Sequence, residues 1–401
     1  MPPLKLRNGI RKLSDGRSRS ENFCYQNSLM NIWRVLPNVN EFFSERKYLE
    51  ENLQEDESLY PISTEIHRIL TEKVNSCEGL RNKLADIEGY QYFRDGNQED
   101  INEFFRILVD ALWQEYEFCI SGQELLNNFE IKHIEKKFFV TPCDLCHYQP
   151  DDREDPQKNL TIFVTRIRSG TGLQTLVDNF YKKEDDRELA CQCQPPVNRA
   201  LKVKTVVQNG PEYLFIELRR AEHHQAQKSD KVVKIPEILK LPNGEKYNLK
   251  AVANHHSDVM NSGHYTALIV EGDNCFEVSD EKSSVVTKTS LSSKHNYTVI
   301  YSKIQSERLK VNQQKRSLEN PVQLIEKRRL AEISFDEKNT KNSTKDGDKI
   351  IESRSEKVQC RNCKKSYVQL FPHLKTKLEC QKGYDLADEK KIYHAYKHAG
   401  Q

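Results

Sequence analysis

The chain has 401 residues, of which 36% are hydrophobic and 30% charged, a composition that allows two or three domains with heavily charged surfaces. No apolar run approaches about 18 residues, and the first residues lack the apolar region of a signal peptide. We therefore expect no membrane span and no membrane partner. An intracellular protein is predicted, in the cytoplasm, the nucleus or both.

The net charge of +2 conceals a difference between two parts of the chain. Residues 306–401 contain 22 basic and 14 acidic residues, a net charge of +8, whereas residues 1–305 contain 40 and 46, a net charge of −6. A mildly acidic first part and a basic second part indicate two units with different functions.

The cysteines indicate metal binding more than disulfide bonding. Their number is odd, and no secretory signal accompanies them, which favours a reducing compartment. Three close pairs stand out among the eleven: Cys143 with Cys146, Cys191 with Cys193, and Cys360 with Cys363.

Near the start of the chain, residues 22–29 place Cys24 where a loop passes into a helix. The helix is predicted from apolar residues at one-face spacing, and Pro37 indicates its end. A thiol in the first turn of a helix feels the positive end of the helix dipole, which favours the thiolate. Cys24 is therefore a candidate nucleophile, although many buried cysteines are inert core residues.

The strongest predicted helix covers residues 98–112, with an apolar stripe on one face. Gln98, Glu99 and Asp100 fall in its predicted first turn, where carboxylates suit the dipole. Asp100 alone is explained equally well as a helix-start residue.

From about residue 130 the pattern changes to short strands. They are predicted at residues 137–141, 213–218, 247–252, 265–270 and 297–301. Helices followed by a largely antiparallel sheet predict an α+β fold, with room for a cleft between the two parts.

Two cysteine pairs in this region could supply the four soft ligands of a tetrahedral zinc site. Cys143 and Cys146 have the usual two-residue gap, whereas Cys191 and Cys193 have a gap of one. The pattern predicts a structural zinc ribbon; the alternative is a set of free surface thiols.

Strand ends in the second half carry the other groups that a thiol protease needs, namely an imidazole base and a residue that orients it. His255 and His256 end one predicted strand, and His264 begins the next, directly after Gly263. A hydroxyl and a carboxylate follow at a strand-to-loop junction, Ser279 and Asp280. A histidine in a sheet is, however, often only a hydrogen-bonding residue.

Taken in order, these segments resemble the sequence motifs of the ubiquitin-specific proteases. Residues 22–29 resemble the cysteine box, where Asn-Thr-Cys-Tyr-x-Asn-Ser is typical, and residues 98–104 resemble Gln-x-Asp-x-x-Glu-Phe. Residues 247–252 and 262–267 are similar to the histidine box, and residues 213–220 to a strand ending in Leu-Lys-Arg-Phe. The resemblance runs from about residue 6 to residue 304.

The resemblance implies a papain-like fold with a helical thumb, a sheet palm and fingers that carry the zinc ribbon. It implies a thiol-dependent deubiquitinase that hydrolyses the bond after the last glycine of ubiquitin through a thioester, without a catalytic cofactor. Cys24 would be the nucleophile and His264 the general base, oriented by Asp280 or Ser279. Asp280 is preferred to Ser279, because a carboxylate stabilises an imidazolium better than a hydroxyl does.

Substrate-binding residues are also implied. Asp100 matches a position that holds the ubiquitin tail, whose arginines suit a carboxylate. Gln98, Asn22 and Tyr265 belong to the same motifs. The implied partners are ubiquitin and ubiquitinated proteins.

One departure concerns the oxyanion. The residue five positions before the nucleophile is an asparagine in the family, and here it is Arg19; Glu21 and Phe23 also replace the usual residues. Arg19 itself, an inserted loop that re-places Asn8, or backbone N–H groups could substitute. A catalytically weak ubiquitin-binding scaffold is the alternative function.

The whole chain is predicted to have three parts. Residues 1–305 form the predicted catalytic domain, residues 306–356 a charged linker with few aromatics, and residues 357–392 a small C2HC zinc finger. Its predicted zinc ligands are Cys360, Cys363, His373 and Cys380. Such a finger could bind nucleic acid or protein, so an adaptor function through the basic tail is a further alternative.

Overall fold

The computed structural model describes residues 2–12, 18–49, 57–141, 143–165, 167–194, 196–221, 227–260 and 262–304, and the two pairs 358–359 and 366–367. The chain divides into two units, residues 1–310 and 311–401. The linker predicted at 306–356 and the predicted ligands Cys360, Cys363, His373 and Cys380 lie outside the described residues, so these predictions stay untested.

Helices dominate the first part of the larger unit. They are α1 (Cys24–Arg34), α2 (Pro37–Ser44), α3 (Pro61–Leu70), α4 (Glu78–Ala85), α5 (Ile101–Glu115), α6 (Ile120–Asn127) and, between strands, α7 (Leu173–Lys182). Proline opens α2 and α3, because its fixed φ suits the first helical position and its missing N–H is not needed there. Within the described residues no helix is long and apolar enough to cross a membrane.

The strands before and around α7 are β1 (Gly9–Lys12), β2 (Ser18–Glu21), β3 (Ile131–Phe139), β4 (Arg153–Gln157), β5 (Leu160–Phe163), β6 (Thr171–Gly172), β7 (Glu184–Ala190) and β8 (Asn198–Asn209). The later strands of the larger unit are β9 (Tyr213–Arg219), β10 (Val233–Lys234), β11 (Ile238–Lys240), β12 (Lys246–His256), β13 (His264–Glu271), β14 (Asn274–Ser279), β15 (Lys282–Val286) and β16 (Asn296–Lys303). In the smaller unit β17 (Val358–Gln359) pairs with β18 (Ser366–Tyr367).

The main sheet has eight strands in the order β15-β14-β13-β12-β16-β9-β5, with β11 paired to the start of β12. Its pairs are antiparallel except for β5 with β9. A four-stranded antiparallel sheet in the order β4-β3-β8-β7 carries the paired cysteines near one end. The predicted α+β class and the largely antiparallel sheet are confirmed.

Aromatic packing joins the helices to one face of the main sheet. Trp33 of α1 is fully buried and stacks against Phe43 and Phe129, with ring centroids 5.9 and 5.8 Å away. Phe105 of α5 stacks on Phe215 of β9 at 4.1 Å. Phe129 in turn lies 5.7 Å from Phe215, so these contacts join helix α1, and with it the Cys24 end, to the sheet.

The contact between helix α5 and the main sheet, called here the helix–sheet seam, also contains polar pairs. The Tyr297 hydroxyl donates to Asp100, Thr298 Oγ1 donates to Asn102 Oδ1 at 2.6 Å, and Arg106 contacts Glu217 at 3.3 Å. Buried polar groups accept few alternative geometries, because an unpaired partner is costly. The seam therefore sets the register of α5 against the sheet.

Helix α5 begins later than the predicted helix at 98–112. Asp100 is the N-cap, and its Oδ1 accepts from the N–H groups of Asn102 and Glu103 at 2.8 and 3.0 Å. The helix therefore starts at Ile101, and Gln98 and Glu99 precede it. The reason is that an aspartate carboxylate competes for the first free amides and stops the helix from extending backwards.

Candidate active site

Cys24 is the first residue of α1 and is buried, with only 2% of its surface exposed. Burial raises the pKa of its thiol to about 11, the N–H of Tyr265 opposes this rise, and the Asp280 carboxylate adds to it. Burial therefore outweighs the helix-terminus effect expected from the sequence. In the resting protein the thiol is protonated at neutral pH.

His264 is the first residue of β13, next to the Tyr265 N–H that faces the Cys24 thiol. Its Nε2 lies 2.8 Å from the Ser279 hydroxyl oxygen and 4.0 Å from Asp280 Oδ2. Both residues proposed to orient the imidazole are therefore near it. Ser279 is the hydrogen-bond partner, and Asp280 lies at the outer limit of an ion pair.

Asp280 links three segments of the site. It follows β14 with a positive φ of 51°, a backbone conformation that is uncommon for non-glycine residues but more accessible to aspartate than to most. Its Oδ1 accepts from Asn27 Nδ2 at 2.8 Å, and its Oδ2 accepts from Asn8 Nδ2 at 3.0 Å. Two amides therefore fix the carboxylate near Cys24.

Asn8 is one of the three substitutes that the sequence offered for the missing oxyanion asparagine. Its Oδ1 accepts from the N–H of Phe23 at 3.0 Å, so its side chain lies next to the residue preceding Cys24. The antiparallel hairpin β1–β2 occupies the chain between Asn8 and Asn22. Without residues 10–20, Asn8 would stand five positions before Cys24, the position that the asparagine occupies in the family motif.

The implied substrate-binding residues have different surroundings. Asp100 is buried, with one oxygen on the amides of α5 and the other on the Tyr297 hydroxyl. The Tyr265 ring is buried, and the Tyr265 backbone N–H faces the Cys24 thiol. Asn22 is exposed and donates its N–H to Gly96 O at 3.3 Å, whereas Gln98 is half-buried.

The four cysteines of the predicted zinc ribbon come together at the end of the four-stranded sheet. Cys143 and Cys146 follow β3, and Cys191 and Cys193 join β7 to β8; the four sulfurs all lie within 4.8 Å of one another. Tetrahedral zinc with Zn–S bonds of about 2.3 Å separates its sulfurs by about 3.8 Å. The donor set and its spacing fit a structural zinc ion, and the one-residue gap of the second pair does not prevent the fit.

Comparison with known families decides how this arrangement is classified. A family profile described as "Ubiquitin carboxyl-terminal hydrolase" matches residues 16–301. The chain belongs to this family. The match covers α1, α5 and all strands of the main sheet up to β16, and therefore includes Cys24, His264, Ser279 and Asp280.

A human relative, ubiquitin carboxyl-terminal hydrolase 42, is 26% identical over 233 residues, which are 53% of this chain and 17% of that protein. The chain thus matches only a small part of the relative's length. Among solved structures, the SAGA DUB module Ubp8/Sgf11/Sus1/Sgf73 bound to monoubiquitin gives a TM-score of 0.59 at 17% identity, over 77% of this chain and 72% of that one. The same module bound to ubiquitin aldehyde gives 0.58 at 16% identity, over 75% and 70%. At these identities the likeness concerns the fold.

Proposed function

We propose that this protein is a thiol-dependent deubiquitinase that hydrolyses the isopeptide or peptide bond after the C-terminal glycine of ubiquitin. The proposal rests on the hydrogen bond of 2.8 Å between His264 and Ser279. The residue after His264 is Tyr265, whose backbone N–H faces the Cys24 thiol. Family membership supports it, and two similar solved structures hold ubiquitin or ubiquitin aldehyde.

In the first half of the reaction, His264 removes the proton from Cys24. Because the resting thiol has a raised pKa, this transfer takes place when the substrate carbonyl is in position and the thiolate is consumed as it forms. The sulfur attacks the carbonyl carbon of the last glycine. The imidazolium then gives its proton to the departing amine, and a thioester remains on Cys24.

In the second half, His264 accepts a proton from a water molecule that attacks the thioester carbonyl. The carbonyl–sulfur bond breaks, the thiolate regains a proton, and the ubiquitin carboxylate leaves. Ser279 holds the ring by Nε2, which leaves Nδ1 to exchange protons with sulfur, amine and water. Asp280, 4.0 Å from the same nitrogen, stabilises the charged imidazolium.

Asn8 is the proposed donor to the oxyanion. An amide nitrogen carries two hydrogens, and one of those on Asn8 Nδ2 is engaged by Asp280. The second is the hydrogen that we assign to the negative oxygen forming beside Cys24. Its position is maintained at both ends, since Oδ1 accepts from Phe23 and Nδ2 donates to Asp280.

The finer architecture follows the family. The helices up to α6 would be the thumb, the eight-stranded sheet the palm, and the four-stranded sheet the fingers. Cys143, Cys146, Cys191 and Cys193 would hold a structural zinc ion at the fingertip, which ties the β3–β4 connection to the β7–β8 hairpin. Residues 1–305 are the proposed catalytic domain, with Gln98, Asp100, Asn22 and Tyr265 along the path of the ubiquitin tail.

Cleavage of an isopeptide-linked ubiquitin conjugate tests the proposal. The wild-type protein should release free ubiquitin, and Cys24→Ala should abolish release while leaving the melting temperature unchanged within a few degrees. Cys77→Ala is a matched control, because Cys77 is a second buried cysteine at the start of a helix. Release that continues in the Cys24→Ala variant would refute the assignment of the nucleophile.

One observation favours a weak enzyme that mainly binds ubiquitin, namely the high pKa of the resting Cys24 thiol. This second function predicts measurable binding of ubiquitin with no turnover of any conjugate. Binding and turnover assays on the same preparation separate the two proposals.

A further inference from the structure

Beside the catalytic strand lies a buried histidine that the proposed mechanism does not use. His255, near the end of β12, is fully buried, and its ring stacks on that of Tyr265 at 4.4 Å with 9° between the planes. Both of its ring nitrogens have partners. Nδ1 lies 3.1 Å from Lys228 Nζ, and Nε2 lies 3.0 Å from the side-chain nitrogen assigned in Gln98.

Lys228 is unusual because it is a lysine with only 8% of its surface exposed. Its Nζ donates to the backbone oxygen of His255 at 2.7 Å and faces His255 Nδ1, and it lies 5.6 Å from the centroid of the Tyr297 ring. Neither hydrogen-bond partner is a carboxylate. A lysine is rarely buried in this way without a specific task, since desolvation of the ammonium is costly.

The backbone around Lys228 is firmly held. Its N–H donates to Asp258 O at 2.8 Å. The fully buried Arg220 donates through Nη1 to the backbone oxygens of Ser229 and Lys231 at 3.1 and 2.8 Å. These backbone contacts therefore fix the position of Lys228 and of its ammonium group.

The contact between Lys228 and His255 determines the histidine tautomer. Burial lowers the pKa of Lys228 to about 8, so the amine is still charged at pH 7. Burial and the charge of Lys228 lower the pKa of His255 to about 3, so the imidazole ring is neutral. An ammonium has donors only, so Nδ1 must be the accepting nitrogen and Nε2 must carry the proton. A protonated Nε2 cannot face an NH2 group. The Gln98 amide is therefore turned so that its oxygen meets His255.

We propose that Lys228 is a positioning residue which, by fixing the Nε2–H tautomer of His255, turns the N–H donors of Gln98 towards the substrate. This inference rests on the proposed function, and it names what Gln98 offers there: two donors for a main-chain carbonyl of an extended peptide tail. Gln98 is half-buried and stands two residues before the N-cap of α5, at the edge of the helix–sheet seam.

Gly263 provides the space that the buried His255 ring occupies. A Cβ atom added there would lie 2.6 Å from His255 Nε2 and 2.9 Å from the backbone oxygen of His256. Only glycine leaves the ring its position under Gln98, and its φ of 154° suits glycine as well. Three segments of the chain therefore converge on one imidazole.

The first experiment needs no substrate. In the full-length protein labelled with ¹⁵N-histidine, the ring nitrogens of His255 should show an unprotonated Nδ1 and a protonated Nε2. Lys228→Met keeps the apolar stem and removes the donors, so the second tautomer should appear. Lys231→Met, in the same segment with its Nζ on Thr165 O, is the control that should leave the spectrum unchanged. A protonated Nδ1 in the wild-type protein overturns the inference, even if Lys228→Met does not fold.

The second experiment uses steady-state cleavage of a ubiquitin conjugate. Lys228→Met should raise KM between about twofold and tenfold, the range of one hydrogen bond, with kcat within about twofold of the wild type. Gln98→Glu, which keeps the acceptor for His255 and loses the donors, should raise KM similarly. The double variant should be no worse than either single one. Additive losses, or a fall in kcat at unchanged KM, would contradict the positioning function.

Failure of the proposed function is distinguishable from failure of this inference. If no variant, the wild type included, cleaves any conjugate, the enzyme proposal fails. The tautomer and the dissociation constant for ubiquitin, measured by calorimetry, then decide whether Lys228 positions Gln98. An unchanged dissociation constant in Lys228→Met would overturn it.

Discussion

At the residue scale, burial affects the pKa of Cys24, the proposed nucleophile, more than its position at a helix start does. Cys24 stands at a helix start, where the dipole favours a thiolate, yet it is almost fully covered and lies near the Asp280 charge. The partial positive charge at the helix end favours the thiolate, but the loss of hydration on burial disfavours it more strongly, so the pKa is raised.

The pH dependence of alkylation follows from this balance. Because only the thiolate reacts and the pKa of Cys24 is raised to about 11, its alkylation rate should increase about tenfold per pH unit from pH 7 to 9. Mass spectrometry of the peptide that contains Cys24 measures this rate. A rate already constant at pH 7 would instead indicate a resting ion pair with His264.

Asn8 and Arg19 are competing candidates for the oxyanion, and they can be separated by substitution. Asn8→Ala should lower kcat by about 10²–10³, the usual effect of removing one oxyanion donor, because its second amide hydrogen is lost. Arg19→Ala, a change in the hairpin strand β2, should leave kcat within about threefold. The reverse order of effects would show that Arg19 is the donor.

Among the elements, the hairpin β1–β2 separates Asn8 from Cys24, two residues that we propose act together. Its stem is closed, since Gly9 and Glu21 are paired and the Asn8 side chain accepts from the Phe23 N–H. Paired Cα atoms in an antiparallel ladder are about 4.5–5.5 Å apart, close to the 3.8 Å spanned by one peptide bond. The hairpin therefore resembles an insertion, and we infer that the geometry of the site does not depend on it.

Deletion of residues 10–20, which joins Gly9 to Glu21, tests this interpretation. The shortened protein should fold, with a melting temperature within about 5 °C, and should keep kcat/KM within about fivefold, since loops at such positions tolerate changes in length. Glycine at position 9 provides the freedom for the small backbone shift. Loss of activity at an unchanged melting temperature would show that the hairpin contributes a group to the reaction.

Some of these elements could be predicted from the sequence and others could not. The cysteine and histidine segments were located because each combines a distinctive local pattern with a strand or helix end. The start of α5 was displaced because the Asp100 cap is decided by one side-chain hydrogen-bond pattern. Contacts such as Asn8 with Asp280, or Lys228 with His255, join segments that only the folded sheet brings together.

The sequence also could not predict which of Ser279 and Asp280 forms the hydrogen bond to His264. The preference for Asp280 rested on charge, which is a property of the residue type. The distances, 2.8 and 4.0 Å from His264 Nε2, depend on the turn after β14, where Asp280 adopts its positive φ and is held by two amides. Neighbouring residues in a strand point to opposite sides, and a turn decides which of them meets the base.

For the whole molecule, metal content tests the two predicted zinc sites together. The full-length protein should contain two equivalents of zinc, one on the four cysteines of the fingertip and one on the C-terminal ligands predicted from the sequence. Cys143→Ser and Cys360→Ser should each remove one equivalent. Cys275→Ser, at a buried cysteine outside both sets, should remove none. A single equivalent that only Cys143→Ser removes would argue against the C-terminal finger.

In the proposed reaction, Cys24 forms a covalent bond with the C-terminus of ubiquitin. Its most direct measurement is the intact mass of the full-length protein after incubation with ubiquitin that carries an electrophilic C-terminus, followed by peptide mapping. We predict one added ubiquitin, located on Cys24, and no addition in Cys24→Ala. Modification of another cysteine, or equal modification of the Cys24→Ala variant, would contradict the account.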